Sequence, residues 1–206
     1  MAIPGSGTLT AEWGNGKIEQ VNVEDISFDR WYGLNRDQEE TRHNKVRLST
    51  EAENGIISFR LIGPWTYGWH SRAQVHIDIS RCPSLQQLTC AKVQSLDVTQ
   101  NTNLEGLEIW YADLQELNLD NNHRLETLKI FHCNNLKKLD LSNCTGLKYL
   151  VLYCCQKLDS VILNDKSELE YVSYNYNTAI AGESEDRLLA AIERNGGCVE
   201  KTYLGD

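Results

Sequence analysis

The side chains best suited to covalent chemistry in this chain belong to its cysteines, of which there are 7, and its histidines, of which there are 5. Cys154 and His132 occupy the same position in two units of the same kind, so adjacent strands of the predicted sheet would place a thiol beside an imidazole. Nothing in the surrounding sequence indicates an oxyanion hole or an enclosing pocket. The chain also contains no H-E-x-x-H, no G-x-S-x-G and no phosphate-cradling loop. We therefore expect no enzymatic activity and no catalytic residue.

Metal and cofactor chemistry is not indicated either. The C-x-x-C pairs typical of zinc sites do not occur in the sequence. Several cysteines form a ladder on inward positions of the repeat described below, where a buried thiol acts as a small apolar side chain. These are Cys82, Cys90, Cys133, Cys144 and Cys155. We expect them to be core thiols rather than a disulfide framework.

Aromatic residues are the clearest candidates for binding. Trp110, Phe131 and Tyr153 recur at one outward position of every second unit, so stacking would align them as a ladder on the face of a sheet. The columns beside this ladder read Lys92–Tyr111–His132–Cys154–Tyr176 and Thr89–Glu108–Lys129–Val151–Ser173. The predicted ligand-binding residues are Trp110, Phe131, Tyr153, Tyr111, His132, Tyr176, Glu108 and Lys129. The alternative is that the ladder only stabilises the sheet through cross-strand pairing or packs under a cap segment.

These columns depend on a repeat that runs from Leu85 to Asn177. Its units read L-x-x-L-x-L, with Asn, Cys or Ala three residues later, as in Leu104–Ala112 and Leu114–Asn122. The alternation within L-x-L indicates a short strand. Because one unit cannot bury its own leucines, the units must stack on a shared core. An inward Asn at the turn can bond backbone groups that the bend leaves unpaired.

Two kinds of unit alternate, so one coil is expected to contain two units. Units such as Leu139–Cys144 (LDLSNC) carry small polar residues outward, whereas units such as Leu128–Cys133 (LKIFHC) carry aromatic ones. Ile77–Cys82 (IDISRC) fits as the first polar unit. The sequence therefore predicts a mainly β solenoid of about five coils.

The repeat resembles the bacterial leucine-rich repeats of nested half-repeat type, whose period is about 21–22 residues, as in internalin-like and Bacteroidetes surface proteins. Leu104–Leu114 and Leu125–Leu136 match the half-repeat that forms the concave sheet in that family, and Leu136–Gly146 matches the convex half. The W-G-N-G segment near Trp13 resembles the W-G-D-G turn of extracellular β-domains in such proteins. The resemblance implies a leucine-rich repeat solenoid in a surface or secreted protein, and it does not name a ligand.

The segments outside the repeat are predicted to cap it. Residues 1–74 should form a β-rich N-terminal cap, residues 75–181 the solenoid, and residues 182–206 a C-terminal cap of a helix and a short strand. Hairpins are expected at Thr10–Val23, around Gly14–Asn15–Gly16, and at Lys45–Gly63, around Asn54–Gly55.

The C-terminal helix is expected within Ser184–Gly197. Ser184 would be its N-cap, and Gly196 suits the left-handed position after its end. Leu188, Leu189 and Ile192 would share the face that covers the last coil.

The composition narrows the partners. A formal net charge of −9 argues against nucleic acid, which requires a basic surface. No apolar run approaches the roughly 18 residues of a membrane span. The first residues, MAIPGSG, lack the basic start and apolar stretch of a signal peptide. The expected extracellular or cell-surface location therefore rests on the resemblance, with the cytoplasm as the alternative.

The best prediction from the sequence is a monomeric, non-enzymatic binding module without a cofactor or a metal. Its aromatic stripe would recognise a protein or peptide, and a carbohydrate is the alternative ligand because flat aromatic ladders also stack on sugar rings. The opposite face carries Asp78, Asp97, Asn118 and Asp140 in one column. Stacked carboxylates could attract a cation, but a solvated face is the expectation.

Overall fold

The computed structural model describes residues 8–13, 18–22, 26–31, 45–50, 57–62, 76–175 and 178–202, with side chains from residue 77 onward. The described part is mostly β. Its strands are β1 (Thr8–Trp13), β2 (Ile18–Asn22), β3 (Ile26–Trp31), β4 (Lys45–Thr50), β5 (Ile57–Ile62), β6 (His76–Arg81), β7 (Leu85–Ala91), β8 (Gly106–Trp110), β9 (Thr127–Phe131), β10 (Lys138–Leu141), β11 (Tyr149–Tyr153), β12 (Ser160–Leu163), β13 (Tyr171–Asn175) and β14 (Cys198–Thr202). The helix α1 spans Glu183–Arg194.

A long parallel sheet forms one side of the molecule. It has 8 strands in the order β14–β13–β11–β9–β8–β7–β5–β3, and every neighbouring pair is parallel. Leu107 lies opposite Leu128, and Leu128 lies opposite Leu150. Because the chain returns to this sheet at nearly constant intervals, the stacked coils make a β-solenoid of about 4 turns. The alternating sequence units predict about five coils.

The first predicted coil is joined to the N-terminal strands. Its strands β6 and β7 are shared with the N-terminal segments, since β6 pairs with β4 and β7 pairs with β5. On the side opposite the long sheet, β10 and β12 pair in parallel, with Leu139 opposite Val161. This pairing confirms that one coil contains two sequence units.

The N-terminal strands confirm one predicted hairpin and correct the other. β1 and β2 pair antiparallel, with Leu9 opposite Val21. The strands expected in Lys45–Gly63 exist as β4 and β5, but they do not pair with each other. β4 pairs with β1 and β6, whereas β5 pairs with β3 and β7. Pairing with other segments, antiparallel with β1 and parallel with β3, β6 and β7, therefore prevails over the local turn signal.

The core is built from the repeated apolar positions. From Leu85 onward all three anchor positions of every unit are buried except Leu163, which is only partly buried against the same core. Side chains two residues apart along a strand share a face, so each strand buries one set of residues and presents the other. Burial of these leucines is the dominant favourable term in folding.

Asparagine side chains bond the turns together, as the repeat predicts. Asn101 Nδ2 donates to Ile79 O at 3.0 Å and to Cys82 O at 2.7 Å. Asn122 Nδ2 donates to Val98 O at 3.1 Å and to Asn101 O at 3.0 Å. Each amide therefore joins its turn to the preceding coil, although the carbonyls that it bonds also accept backbone N–H groups and are not left unpaired by the bend.

The C-terminal cap forms as a helix and a strand, with two corrections. The residue preceding α1 is Gly182, without a side-chain cap, so Ser184 is not the N-cap. Ser184 Oγ accepts a hydrogen bond from the backbone N–H of Val161 at 3.3 Å. Leu188 and Ile192 are buried as expected, but Leu189 is 39% exposed. Gly196 has the predicted left-handed conformation, with φ of 64°.

α1 is too short and too polar to cross a bilayer, and no other helix in the described ranges could do so.

Candidate functional site

The candidate site lies on the outward face of the long sheet, defined here as the exposed or half-buried side chains of β8, β9, β11, β13 and β14. In β8 the outward residues Glu108 and Trp110 are half-buried, while Leu107 and Ile109 beside them are buried. The alternation repeats in β9 and β11. A parallel register then aligns equivalent residues of successive strands into the columns that the sequence predicts.

The predicted aromatic ladder is present. Trp110 lies opposite Phe131, and Phe131 lies opposite Tyr153. The Trp110 and Phe131 rings stack with centroids 3.9 Å apart and planes 14° apart. The Phe131 and Tyr153 rings meet edge to face, with centroids 5.7 Å apart. All three rings remain half-buried, so they form a continuous aromatic stripe that solvent still reaches.

Glu108 and Lys129 lie in the column beside the ladder. Trp110 Nε1 donates to Glu108 Oε1 at 2.6 Å, and Lys129 Nζ lies 3.6 Å from Glu108 Oε2. Glu108 therefore orients the indole and holds a lysine against the same edge of the ladder. Because the Lys129 side chain is 41% exposed, this ion pair adds little stability. Its value lies in fixing the positions of polar groups next to the rings.

The next column follows the ends of the strands and has an unusual backbone. The four members of this column that the structure describes are left-handed although none is glycine: Lys92 (φ 56°), Tyr111 (φ 53°), His132 (φ 58°) and Cys154 (φ 57°). This conformation costs an L-residue about 1–2 kcal/mol. It is held by the neighbouring coil, because the Tyr111 N–H donates to Phe131 O and the His132 N–H donates to Tyr153 O, each at 2.8 Å.

Tyr111 and His132 join the aromatic stripe. Their rings stack with centroids 4.5 Å apart and planes 10° apart, and Trp110 lies 6.3 Å from Tyr111 between centroids. Burial lowers the pKa of the His132 imidazole, which favours the neutral ring. The stripe is therefore two columns wide. Tyr176, also predicted in this site, lies outside the described residues.

Cys154 is not the exposed thiol that the column predicts, because it is only 7% exposed. Its backbone N–H donates to Asn175 Oδ1 at 2.8 Å, and Asn175 Nδ2 donates to Cys154 Sγ at 3.2 Å. The Asn175 side chain of β13 therefore covers this thiol, whereas Tyr111 and His132, which have the same left-handed backbone, are half-buried. The thiol contacts an amide that holds it in place.

Two tyrosines of the outward face were missed by the sequence reasoning. Tyr149 and Tyr171 lie opposite each other at the start of β11 and β13, with ring centroids 6.4 Å apart. Ser173, in the middle of β13, forms a hydrogen bond of 2.6 Å with the Tyr153 hydroxyl. Both tyrosines occupy the first outward position of their strands. In β8 and β9 that position holds Gly106 and Thr127, so the sequence shows no continuous aromatic column there.

The carboxylates of the opposite face accept hydrogen bonds within their own turns. Asp97 Oδ1 accepts from the Thr99 backbone N–H at 2.9 Å and from its hydroxyl at 2.6 Å. Asp140 and Ser142 repeat this arrangement. These hydrogen bonds lower the pKa of both carboxyls. These local hydrogen bonds account for the carboxylates, and within the described residues no group of three or more His, Cys, Asp or Glu could hold a metal ion.

The cysteines confirm the inward assignment of the ladder. Cys82, Cys90, Cys133, Cys144 and Cys155 are buried and unpaired, and Cys198 is exposed. Burial raises the pKa of Cys82, Cys90, Cys144 and Cys155 to about 12, and it also raises the pKa of Cys133. Thiols that stay protonated near neutral pH are poor nucleophiles and poor metal ligands.

Comparisons of this chain with protein-family models, curated proteins and solved structures find no match.

Proposed function

We propose that the chain is a leucine-rich repeat module of the nested half-repeat type, without enzymatic activity, that binds a protein or peptide on the outward face of its long sheet. The observation that carries the proposal is the aromatic stripe. Trp110, Phe131 and Tyr153 stand in register and half-exposed, flanked by the stacked pair of Tyr111 and His132. Large aromatic side chains of this kind supply most of the binding energy at protein interfaces.

The ring geometry favours a protein over a carbohydrate. Sugar rings stack on open aromatic faces. Here Trp110 and Phe131 cover one face of each other at 3.9 Å, and Tyr153 meets Phe131 edge on. The stripe therefore offers ring edges and a ridged apolar surface, which suits interdigitating side chains. An extracellular or cell-surface location belongs to the same proposal and follows the family resemblance.

A displayed library of linear peptides tests the proposal. The wild-type chain should select peptides, and Trp110→Ser, Phe131→Ser and Tyr153→Ser combined should weaken the selected peptides at least about hundredfold, as expected for hot-spot residues of 2 kcal/mol or more. A matched triple variant, with Gln115, Glu116 and Lys137 changed to Ser on the exposed opposite side, should bind as the wild type does.

Two results would contradict the proposal. Unchanged affinity in the folded aromatic triple variant would place the site elsewhere. Unfolding of that variant, checked by circular dichroism, would make the ladder structural. In that case single replacement of Tyr153 by Ser, which leaves the stacked Trp110–Phe131 pair in place, still tests binding, and normal affinity would reject the site.

A further inference from the structure

Two tyrosines on the outward face, of which Tyr149 is exposed and Tyr171 half-buried, each donate a hydrogen bond from the phenol to a glutamate. Tyr149 OH donates to Glu170 Oε2 at 3.4 Å, and Tyr171 OH donates to Glu200. The two rings are tilted by 42° with centroids 6.4 Å apart. Tyr149 is 44% exposed, and both glutamates are exposed. The result is an open pair of rings bordered by two carboxylates.

On the other face of β13, a tyrosine and a glutamate together bind the ammonium group of a lysine of the same chain. Tyr174 OH donates to Glu185 Oε1 at 2.6 Å, and Lys201 Nζ lies 2.8 Å from that same oxygen. The ammonium also lies 5.4 Å from the centroid of the Tyr174 ring. A phenol that donates to a carboxylate thus forms a site where both the ring face and the anion attract an ammonium.

The outer pairs offer this arrangement to solvent. Among the residues that the structure describes, neither Glu170 nor Glu200 forms a salt bridge with lysine or arginine. Lys148, which precedes Tyr149, is paired with Glu126 at 3.7 Å. The formal net charge of −9 adds a long-range attraction for cationic partners.

We propose that Tyr149, Tyr171, Glu170 and Glu200 bind an arginine or lysine side chain of a basic peptide segment. The inference rests on the proposed function and names the chemistry of its partner. A planar guanidinium can lie on a tyrosine face while its N–H groups reach a carboxylate, so arginine suits the site better than lysine.

The position of the site also defines a spacing in the peptide. Tyr149 and Tyr153 lie at the two ends of β11, about 13 Å apart at the rise of an extended strand. Val151 lies between them on the same face. An extended peptide running along β11 would therefore place its basic residue at Tyr149 and an apolar residue, about four positions away, on the aromatic stripe.

Three synthetic peptides of one design test this directly. Each has a phenylalanine four positions after a variable residue, with serine and glycine between, and the variable residue is arginine, glutamine or glutamate. In fluorescence anisotropy titrations the arginine peptide should bind the wild-type chain about tenfold more tightly than the glutamine peptide. The glutamate peptide should bind more weakly than both.

Charge variants show which carboxylates act. Glu170→Gln with Glu200→Gln should bring the ratio of arginine to glutamine affinities close to one. Glu116→Gln with Asp165→Asn removes the same net charge at exposed positions away from the tyrosine pair, and it should leave the ratio near its wild-type value. Circular dichroism should show that both variants keep the fold, because the changed carboxylates are at the surface.

The results separate this inference from the proposed function. Equal affinity for the arginine and glutamine peptides, no binding of either, or an unchanged ratio in the Glu170/Glu200 variant overturns the cation site. If the aromatic triple variant loses library binding while the arginine and glutamine peptides bind the wild type equally, the proposed function is supported and the cation site is rejected. An arginine preference that survives intact in that triple variant would keep the cation site and reject the stripe.

Discussion

Asn175 holds Cys154 from two sides, accepting a hydrogen bond from its backbone N–H at 2.8 Å and donating one to its thiol at 3.2 Å. In the preceding coils the equivalent N–H groups of Lys92, Tyr111 and His132 donate to a backbone carbonyl of the next strand. At Cys154 a side-chain amide provides that acceptor. One specific side chain of β13 thus replaces a backbone contact of the repeat.

Replacing Asn175 by Ala should destabilise the fold by about 1–3 kcal/mol, because a buried N–H loses its partner. Urea unfolding followed by circular dichroism measures the loss. Asn121→Ala is the control, since Asn121 Nδ2 also donates to a carbonyl, Thr99 O at 3.1 Å, but at an exposed position. Equal losses in the two variants would show that burial of the Cys154 turn does not matter.

Thiol labelling should find one fast site in the native protein. Cys198 is exposed, whereas Cys154 and the thiols of the inward ladder are buried, and the raised pKa of the ladder thiols further suppresses their reaction. A native titration with an aromatic disulfide reagent should therefore release about one equivalent, and the unfolded chain should release all 7. Cys198→Ser should remove the fast phase. Rapid labelling of Cys133, Cys144 or Cys155 would contradict the inward assignment.

Leu139→Ala should cost about 2–5 kcal/mol, because it empties a fully buried position between stacked coils. Leu163→Ala should cost clearly less, since Leu163 lies in the paired strand but is only partly buried. Both losses can be read from urea unfolding midpoints with unchanged slopes. A smaller loss at Leu139 than at Leu163 would be incompatible with the observed register.

Acidification should weaken the fold through His132. Burial lowers the pKa of its imidazole below the usual value of 6.5, so the unfolded chain binds a proton more readily than the folded one. Stability therefore falls as pH drops below 6.5 and levels off below the folded-state pKa. Urea unfolding above and below pH 6.5 should show a smaller pH dependence in His132→Gln than in the wild type. An identical dependence would mean that His132 stays protonated equally well in both states.

The sheet and its stripe could be predicted because one period controls both. Once Leu107, Leu128 and Leu150 are recognised as equivalent, parallel stacking also fixes which side chains of the same strands align outward. That reasoning placed Trp110, Phe131 and Tyr153 correctly in one column. It required only the alternation of a strand and the need of each coil to bury its leucines.

The features that the repeat period could not predict depend on contacts between segments that are distant in sequence. Glu200 meets Tyr171 only because β14 returns to the sheet after α1. Ser184 contacts Val161 rather than capping its own helix. Cys154 is buried because Asn175 of β13 bonds both its backbone N–H and its thiol. Each of these outcomes depends on tertiary structure that local preference does not contain.

The left-handed column has a consequence for redesign. Its backbone path is the same for a lysine, a tyrosine, a histidine and a cysteine, so the path does not depend on which side chain is present. Asparagine and glycine adopt this conformation at lower cost, and substituting either at Tyr111 would relieve the backbone while deleting an aromatic ring. Residues of this column, at the border of the stripe, could therefore be substituted to change binding specificity without changing the backbone of the solenoid.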